Sequence, residues 1–123
     1  MKKKDVVVEE KANAFALRIV KMYQFLVDDK REYVMSKQVL RCGTSIGASI
    51  AEAQGAISSS EFSAKISYAY KEALETKYWL RLLHQSGYIE QKSFQSMHKN
   101  ADELCKIIFT ILKSTGRITR SKQ

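Results

Sequence analysis

The feature that most constrains this chain is the complete absence of proline from its 123 residues. It also has only five glycines, whereas a β protein normally carries proline or glycine at a turn about every ten residues. Hydrophobic residues make up 45% of the chain, which at this length is enough for one buried core. The composition therefore predicts a single all-α domain built from a few long helices.

Apolar residues recur at alternating spacings of four and three in four segments, the pattern of helices that bury one face. In the first segment these residues are Val8, Ala12, Phe15, Ile19, Met22 and Leu26. The segments predict helices over about 6–29, 36–54, 60–86 and 90–115. Because the connections are short, we expect an antiparallel up-down-up-down four-helix bundle over residues 1–116, with a frayed basic tail at 117–123.

Residues favoured at helix ends mark three of the predicted boundaries. Ser36 is expected to cap the start of the second helix, and the serine run 58–60 the start of the third. Gly87 is expected to adopt a left-handed conformation just after the third helix, where glycine has no steric penalty.

Small residues fill the second helix between Arg41 and Glu52. Gly43 and Gly47 each cost about 1 kcal/mol relative to alanine inside a helix. A packing reason for this cost is that a neighbouring backbone approaches closely. That neighbour is either another helix of the bundle or another subunit, and the sequence leaves both possibilities open.

The third and fourth helices carry more apolar surface than one bundle needs. On the third helix, Tyr78 and Trp79 lie outside the core row. On the fourth, the apolar residues spread over about 200°, whereas a monomer needs a stripe only somewhat wider than 100°. The excess predicts a homo-oligomer; the alternative is that the aromatic residues simply ring the core with their polar ends in water.

The formal net charge is +8, from 21 lysines and arginines against 13 aspartates and glutamates. Basic residues at seven-residue spacing predict a stripe on the first helix (Lys4, Lys11, Arg18) and another on the fourth (Lys92, Lys99, Lys106, Lys113), continued by Arg117 and Arg120. Because no exposed aromatic residue is expected beside them, the stripes predict contact with the backbone of RNA or DNA rather than with bases. The alternative is an ordinary solvated helix face.

No combination of residues predicts catalysis, a metal or a cofactor. A di-iron bundle needs Glu-x-x-His pairs, but the residues three before His84 and His98 are Arg81 and Gln95. Arg81 also stands too close to His84 for the motif of small helical ribonucleases. Cys42 and Cys105 are expected as buried thiols in a reducing cytosol. With no signal peptide or membrane span in the sequence, the protein is expected in the cytoplasm.

Two carboxylates of the third helix, Glu72 and Glu75, require a partner if they lie at the edge of the core. Arg41 is the candidate, within one chain or between subunits. The alternative is that both carboxylates are solvated.

Two segments together resemble a known family: Arg-Cys-Gly-Thr-Ser-Ile-Gly-Ala-Ser-Ile-Ala-Glu-Ala from Arg41, and the segment from Phe62 to Leu80 that ends Glu-Thr-Lys-Tyr-Trp-Leu. Similar motifs mark the bacterial four-helix-bundle proteins encoded in intervening sequences of 23S ribosomal RNA genes. Ser49 departs from that pattern, which more often has asparagine there.

The resemblance implies a ring, commonly a homopentamer, and no catalytic residue. A related branch, the accessory proteins of diversity-generating retroelements, binds nucleic acid and a reverse transcriptase, so a partner protein of that kind is also implied. Residues matching the motif are interpreted as fold or assembly residues: Arg41, Glu72, Glu75, Tyr78 and Trp79. The alternative function is a protein-interaction scaffold without a nucleic-acid role.

Overall fold

The computed structural model describes residues 3–115, with side chains from residue 5. These residues form four α-helices and no strand: α1 (Lys3–Asp28), α2 (Met35–Gln54), α3 (Ser59–Gln85) and α4 (Gln91–Ser114). Each helix packs on the next, and α4 packs back on α1, so the helices form a four-helix bundle. The all-α prediction with four helices is confirmed, and each observed helix end lies within three residues of the predicted one.

The core consists of the apolar faces that the four-three spacing marks. All six residues of the α1 row are buried, and α2 contributes Val39, Ile46, Ile50 and Ala53. The buried residues of all four helices form one continuous cluster. Burying a large aliphatic side chain contributes about 1.5–3 kcal/mol, so the shared core accounts for most of the stability of these helices.

The start of α2 differs from the prediction that Ser36 caps it. Ser36 lies inside the first turn, and Glu32 performs the capping role instead. Its buried carboxylate accepts hydrogen bonds from the backbone N–H groups of Val34, Met35 and Ser36 at 3.1, 3.0 and 2.7 Å. A carboxylate at this end also complements the helix dipole.

The other two predicted boundaries are confirmed. The Ser58 hydroxyl accepts a hydrogen bond from the backbone N–H of Glu61, and the Glu61 carboxylate accepts one from the N–H of Ile57. This pair resembles a capping box, except that Glu61 accepts from the residue before the cap rather than from Ser58 itself. Gly87 has a φ of +87°, and the following N–H, that of Tyr88, donates to the carbonyl of Leu83 as the chain leaves α3.

Gly43 and Gly47 of α2 face α1 within the same chain. A Cβ atom at Gly43 would lie 2.8 Å from Cγ1 of Ile19, which is closer than real Cβ contacts allow. At Gly47 the nearest atom, Cβ of Ala12, would be 3.7 Å away, an ordinary contact. Gly43 is therefore required by the packing of α2 on α1, whereas Gly47 leaves room for a methyl group.

Alanine at these two positions is expected to change stability in opposite directions. Gly43→Ala should lower the free energy of unfolding by about 1–2 kcal/mol, because overpacking outweighs the gain in helix propensity. Gly47→Ala should raise it by about 0.5–1 kcal/mol. Urea unfolding at fixed protomer concentration measures both. In an Ile19→Ala background the close contact is gone, so Gly43→Ala should no longer destabilise; persistent destabilisation there would contradict the packing argument.

Candidate nucleic-acid interface

Exposed basic side chains lie along α1 and α4, two helices that pack on each other, and we call their combined surface the α1–α4 face and define it by Lys11, Arg18, Lys21, Lys92 and Lys99. Arg18 crosses from α1 to α4, where its guanidinium donates to the Ser96 hydroxyl at 2.9 Å and to the Asn100 side-chain oxygen. Lys11 crosses in the same way to the Glu103 carboxylate, at 3.0 Å. The face therefore joins the predicted α1 stripe to the first half of the α4 stripe.

Most of the charge on this face is not neutralised. The partners of Arg18 are neutral groups, so its full positive charge remains. Within residues 5–115, no carboxylate pairs with Lys21, Lys92 or Lys99, and all three are exposed. Lys11 alone of the five has an acidic partner among the described residues. Among the described residues, the face thus presents to solvent four cations that have no ion-pair partner.

The second half of the α4 stripe points toward α3 instead. A seven-residue repeat drifts by about 20° per heptad on a straight helix, which carries Lys106 and Lys113 away from α1. Lys106 pairs with Asp102 at 3.1 Å, and Lys77 of α3 pairs with the same carboxylate at 2.8 Å. Hydrogen bonds from these two lysines hold the pKa of Asp102 below its usual value. Lys113 lies 6.0 Å from the centre of the Phe109 ring.

Three predicted contact residues cannot be placed on this surface. Lys4 belongs to α1, but its side chain lies outside the described residues, and so do Arg117 and Arg120.

An aromatic ring at the edge of the α1–α4 face was not anticipated from the sequence. Phe25 is 40% exposed and lines a cleft between α1 and α4 together with Arg18 and Lys21. The expectation that no exposed aromatic accompanies the basic residues is therefore wrong. Phe25 falls outside the four-three spacing of the α1 core row, and this is the signal that could have identified it.

The predicted partnership of Arg41 with Glu72 and Glu75 is present within one chain. The guanidinium bridges α2 to α3, lying 3.3 Å from the Glu72 carboxylate and bonding also to Glu75. Glu75 in turn accepts a hydrogen bond from the indole N–H of Trp79 at 3.0 Å. Burial lowers the pKa of Arg41, but the charges of Glu75 and Glu72 outweigh it and raise the pKa overall.

The two carboxylates of this network differ in exposure. The Glu72 side chain is only 7% exposed, and that of Glu75 is 35% exposed. A buried carboxylate without a cation is costly, so Glu72 depends on Arg41 more than Glu75 does. Beside the network, the Tyr78 ring stands edge-on to Trp79 with centroids 5.0 Å apart and is half exposed.

The cysteines and histidines form no reactive or metal-binding cluster among the described residues. Both cysteines are buried, and neither forms a disulfide among the described residues; burial raises the pKa of Cys42 to about 11 and that of Cys105 above its usual value. Such thiols are protonated and unreactive at neutral pH. His84 stacks on Phe94, with centroids 4.5 Å apart. Within residues 3–115, no group of three His, Cys, Asp or Glu residues could hold a metal ion, and no helix there could cross a membrane.

Comparisons with known proteins agree on one family. The sequence model of the family described as "23S rRNA-intervening sequence protein" matches residues 4–110. A crystal structure at 1.70 Å of a protein from Bacteroides thetaiotaomicron, described as of unknown function and from the S23 ribosomal protein family, superposes with a TM-score of 0.88. The two sequences are 48% identical over 89% of this chain and 98% of that one. Among curated proteins, no significant match is found.

Proposed function

Because this chain belongs to the family of 23S rRNA-intervening sequence proteins, we propose that it is a non-catalytic homo-oligomer that binds the phosphate backbone of RNA or DNA. The observation that carries the proposal is the set of four uncompensated cations on the α1–α4 face. Lysine and arginine on one surface release counterions from nucleic acid when they bind its phosphates, and this release drives association. The other stripe residues, from Lys106 to Arg120 and at Lys4, extend the proposed contact area.

A homo-oligomer, expected to be a pentamer, is supported by the outer surface of α3. Tyr68, Leu74 and Tyr78 are 49%, 43% and 49% exposed in the single chain. Several large apolar side chains exposed along one helix support a surface that another protein covers. If subunits assemble, each α1–α4 face is repeated, and weak phosphate contacts become avid.

The direction of the helices is also part of the proposal. Lys11 pairs with Glu103, whereas Arg18, further along α1, bonds to Asn100 and Ser96, which come earlier in α4. Contacts that run in opposite order along two helices support an antiparallel up-down-up-down arrangement.

The proposal places the protein in the cytoplasm, where buried cysteines without a disulfide are normal, and assigns it no reaction. The second candidate is a protein-interaction scaffold or adaptor, with an enzyme such as a reverse transcriptase as its partner. The exposed apolar surface of α3 favours that alternative, in which the positive charge serves solubility.

The two candidates differ in how binding depends on salt. We expect the purified protein to bind duplex RNA or DNA with a slope of log affinity against log salt near −3.6, for about four phosphates per site. Fluorescence anisotropy at about 50 mM and about 200 mM salt measures this slope. No binding to any nucleic acid at the lower salt would favour the scaffold. Light scattering on the same sample tests assembly, since a 14.1 kDa species would contradict the oligomer.

A further inference from the structure

The cleft beside the α1–α4 face combines an apolar floor with a charged rim. It has a volume of about 390 Å³, within the range of about 300–1,000 Å³ found for ligand sites. Met22, Ile89 and Met97 are buried and form the floor. Arg18 and Lys21 stand on the rim contributed by α1, and Glu90 and Ser93 stand on the opposite side. This surface suits a flat apolar group attached to an anion.

Phe25 supplies the feature that separates this cleft from a plain basic surface. Its ring is 40% exposed, with Nζ of Lys30 5.8 Å from the ring centre on one side. Lys21 precedes it by four residues on α1, so the two side chains are neighbours on the helix surface. An exposed aromatic ring next to lysines is the arrangement on which proteins stack unpaired bases while cations bind the backbone.

We infer that this cleft binds one unpaired base of a single-stranded nucleic acid, stacked on Phe25, with the adjoining phosphate on Lys21 and Arg18. The inference rests on the proposed nucleic-acid function and adds to its backbone binding a site that only a single-stranded segment can occupy. A base inside a duplex has both faces covered by its neighbours, so it is not available for such stacking.

The charges around the cleft also determine on which side of it the sugar–phosphate backbone lies. Glu90 accepts a hydrogen bond from the Ser93 hydroxyl at 3.4 Å, and its negative charge repels a phosphate from the α4 side of the cleft. The backbone therefore runs along the α1 rim, where Arg18 keeps its positive charge because its partners are neutral.

Substitution of Phe25 tests this inference on the full chain in its native assembly. Phe25→Leu keeps an apolar side chain but removes the stacking surface, so affinity for a single strand of about 12 nucleotides should fall about 5- to 150-fold. Phe25→Trp restores a stacking ring and should bind at least as tightly as the native protein. Affinity for the duplex of the same sequence should not change with either substitution. RNA and DNA strands, tested in parallel, distinguish the two sources of the base.

The outcomes separate this inference from the proposed function. If the native protein binds neither single strand nor duplex, the proposed function itself fails. If it binds and Phe25→Leu leaves single-strand affinity unchanged, the stacking site is wrong while backbone binding stands. Equal weakening of single-strand and duplex binding by Phe25→Leu would also overturn the site, because that result indicates a general loss of structure or assembly.

Discussion

Replacement of Lys92 and Lys99 together by glutamine is expected to weaken binding of duplex RNA or DNA about 60-fold at about 0.1 M salt. Each lysine–phosphate contact steepens the slope of log affinity against log salt by about 0.9. One contact therefore contributes about 0.9 log units of affinity when salt is lowered from 1 M to 0.1 M. Both lysines are exposed and have no acidic partner among the described residues. The slope should therefore become shallower by about 1.8 in the double variant.

The matched control removes two lysines that are also exposed, from the other two helices of the bundle. Lys37→Gln with Lys71→Gln lowers the net charge by the same amount, on α2 and α3, where no nucleic-acid contact is proposed. This control should reduce affinity much less than the Lys92 and Lys99 variant. Equal losses in the two double variants would mean that only total charge matters and that the α1–α4 face is not the binding surface.

Affinity for nucleic acid is expected to rise when Glu103, which pairs with Lys11 on the α1–α4 face, loses its charge. Glu103 pairs with Lys11 at 3.0 Å, and both side chains are nearly half exposed, so the pair itself contributes little stability. Glu103→Gln releases Lys11 for a phosphate and should strengthen binding by up to about tenfold at 0.1 M salt. Unchanged affinity would exclude Lys11 from the contact surface.

Sequence periodicity predicted the fold well because burial determines it. The four-three spacing depends only on which residues are apolar, and the resulting core rows are the ones that the structure buries. The cap at Glu32 escaped prediction for a physical reason. Its carboxylate reaches three backbone N–H groups only after the connection between α1 and α2 folds back and buries it, and nothing in the local spacing encodes that bend.

The candidate site was predicted less completely, since its geometry depends on neighbouring helices. Heptad spacing placed Lys92 and Lys106 on one stripe, but it could not say that Lys106 pairs with an acid shared with α3, whereas Lys92 has no ion pair among the described residues. The small residues of α2 indicated close packing without identifying Ile19 as the neighbour. The spacing of α1 could mark Phe25 as lying outside the core row, but only the packing of α1 on α4 forms the cleft that Phe25 lines.

Removal of the Arg41 side-chain charge is the substitution outside the core expected to cost the most stability. In Arg41→Met the Glu72 carboxylate, 7% exposed, stays buried without its cation. Breaking a fully buried ion pair costs about 3–5 kcal/mol of the free energy of unfolding. Because the Arg41 side chain is 49% exposed, solvent screens this pair, and the expected loss is about 2 kcal/mol. Urea unfolding at fixed protomer concentration measures it, since oligomer stability depends on concentration.

Two further variants test whether the cost arises at Glu72. Adding Glu72→Gln to Arg41→Met removes the uncompensated charge and should recover about half of the lost stability. Glu75→Gln alone keeps an oxygen acceptor for the indole N–H of Trp79 and removes a charge that is 35% exposed, so it should cost less than about 1 kcal/mol. An unchanged stability in Arg41→Met would refute the network as a structural element. Equal costs for Arg41→Met and Glu75→Gln would instead place the important ion pair at Glu75.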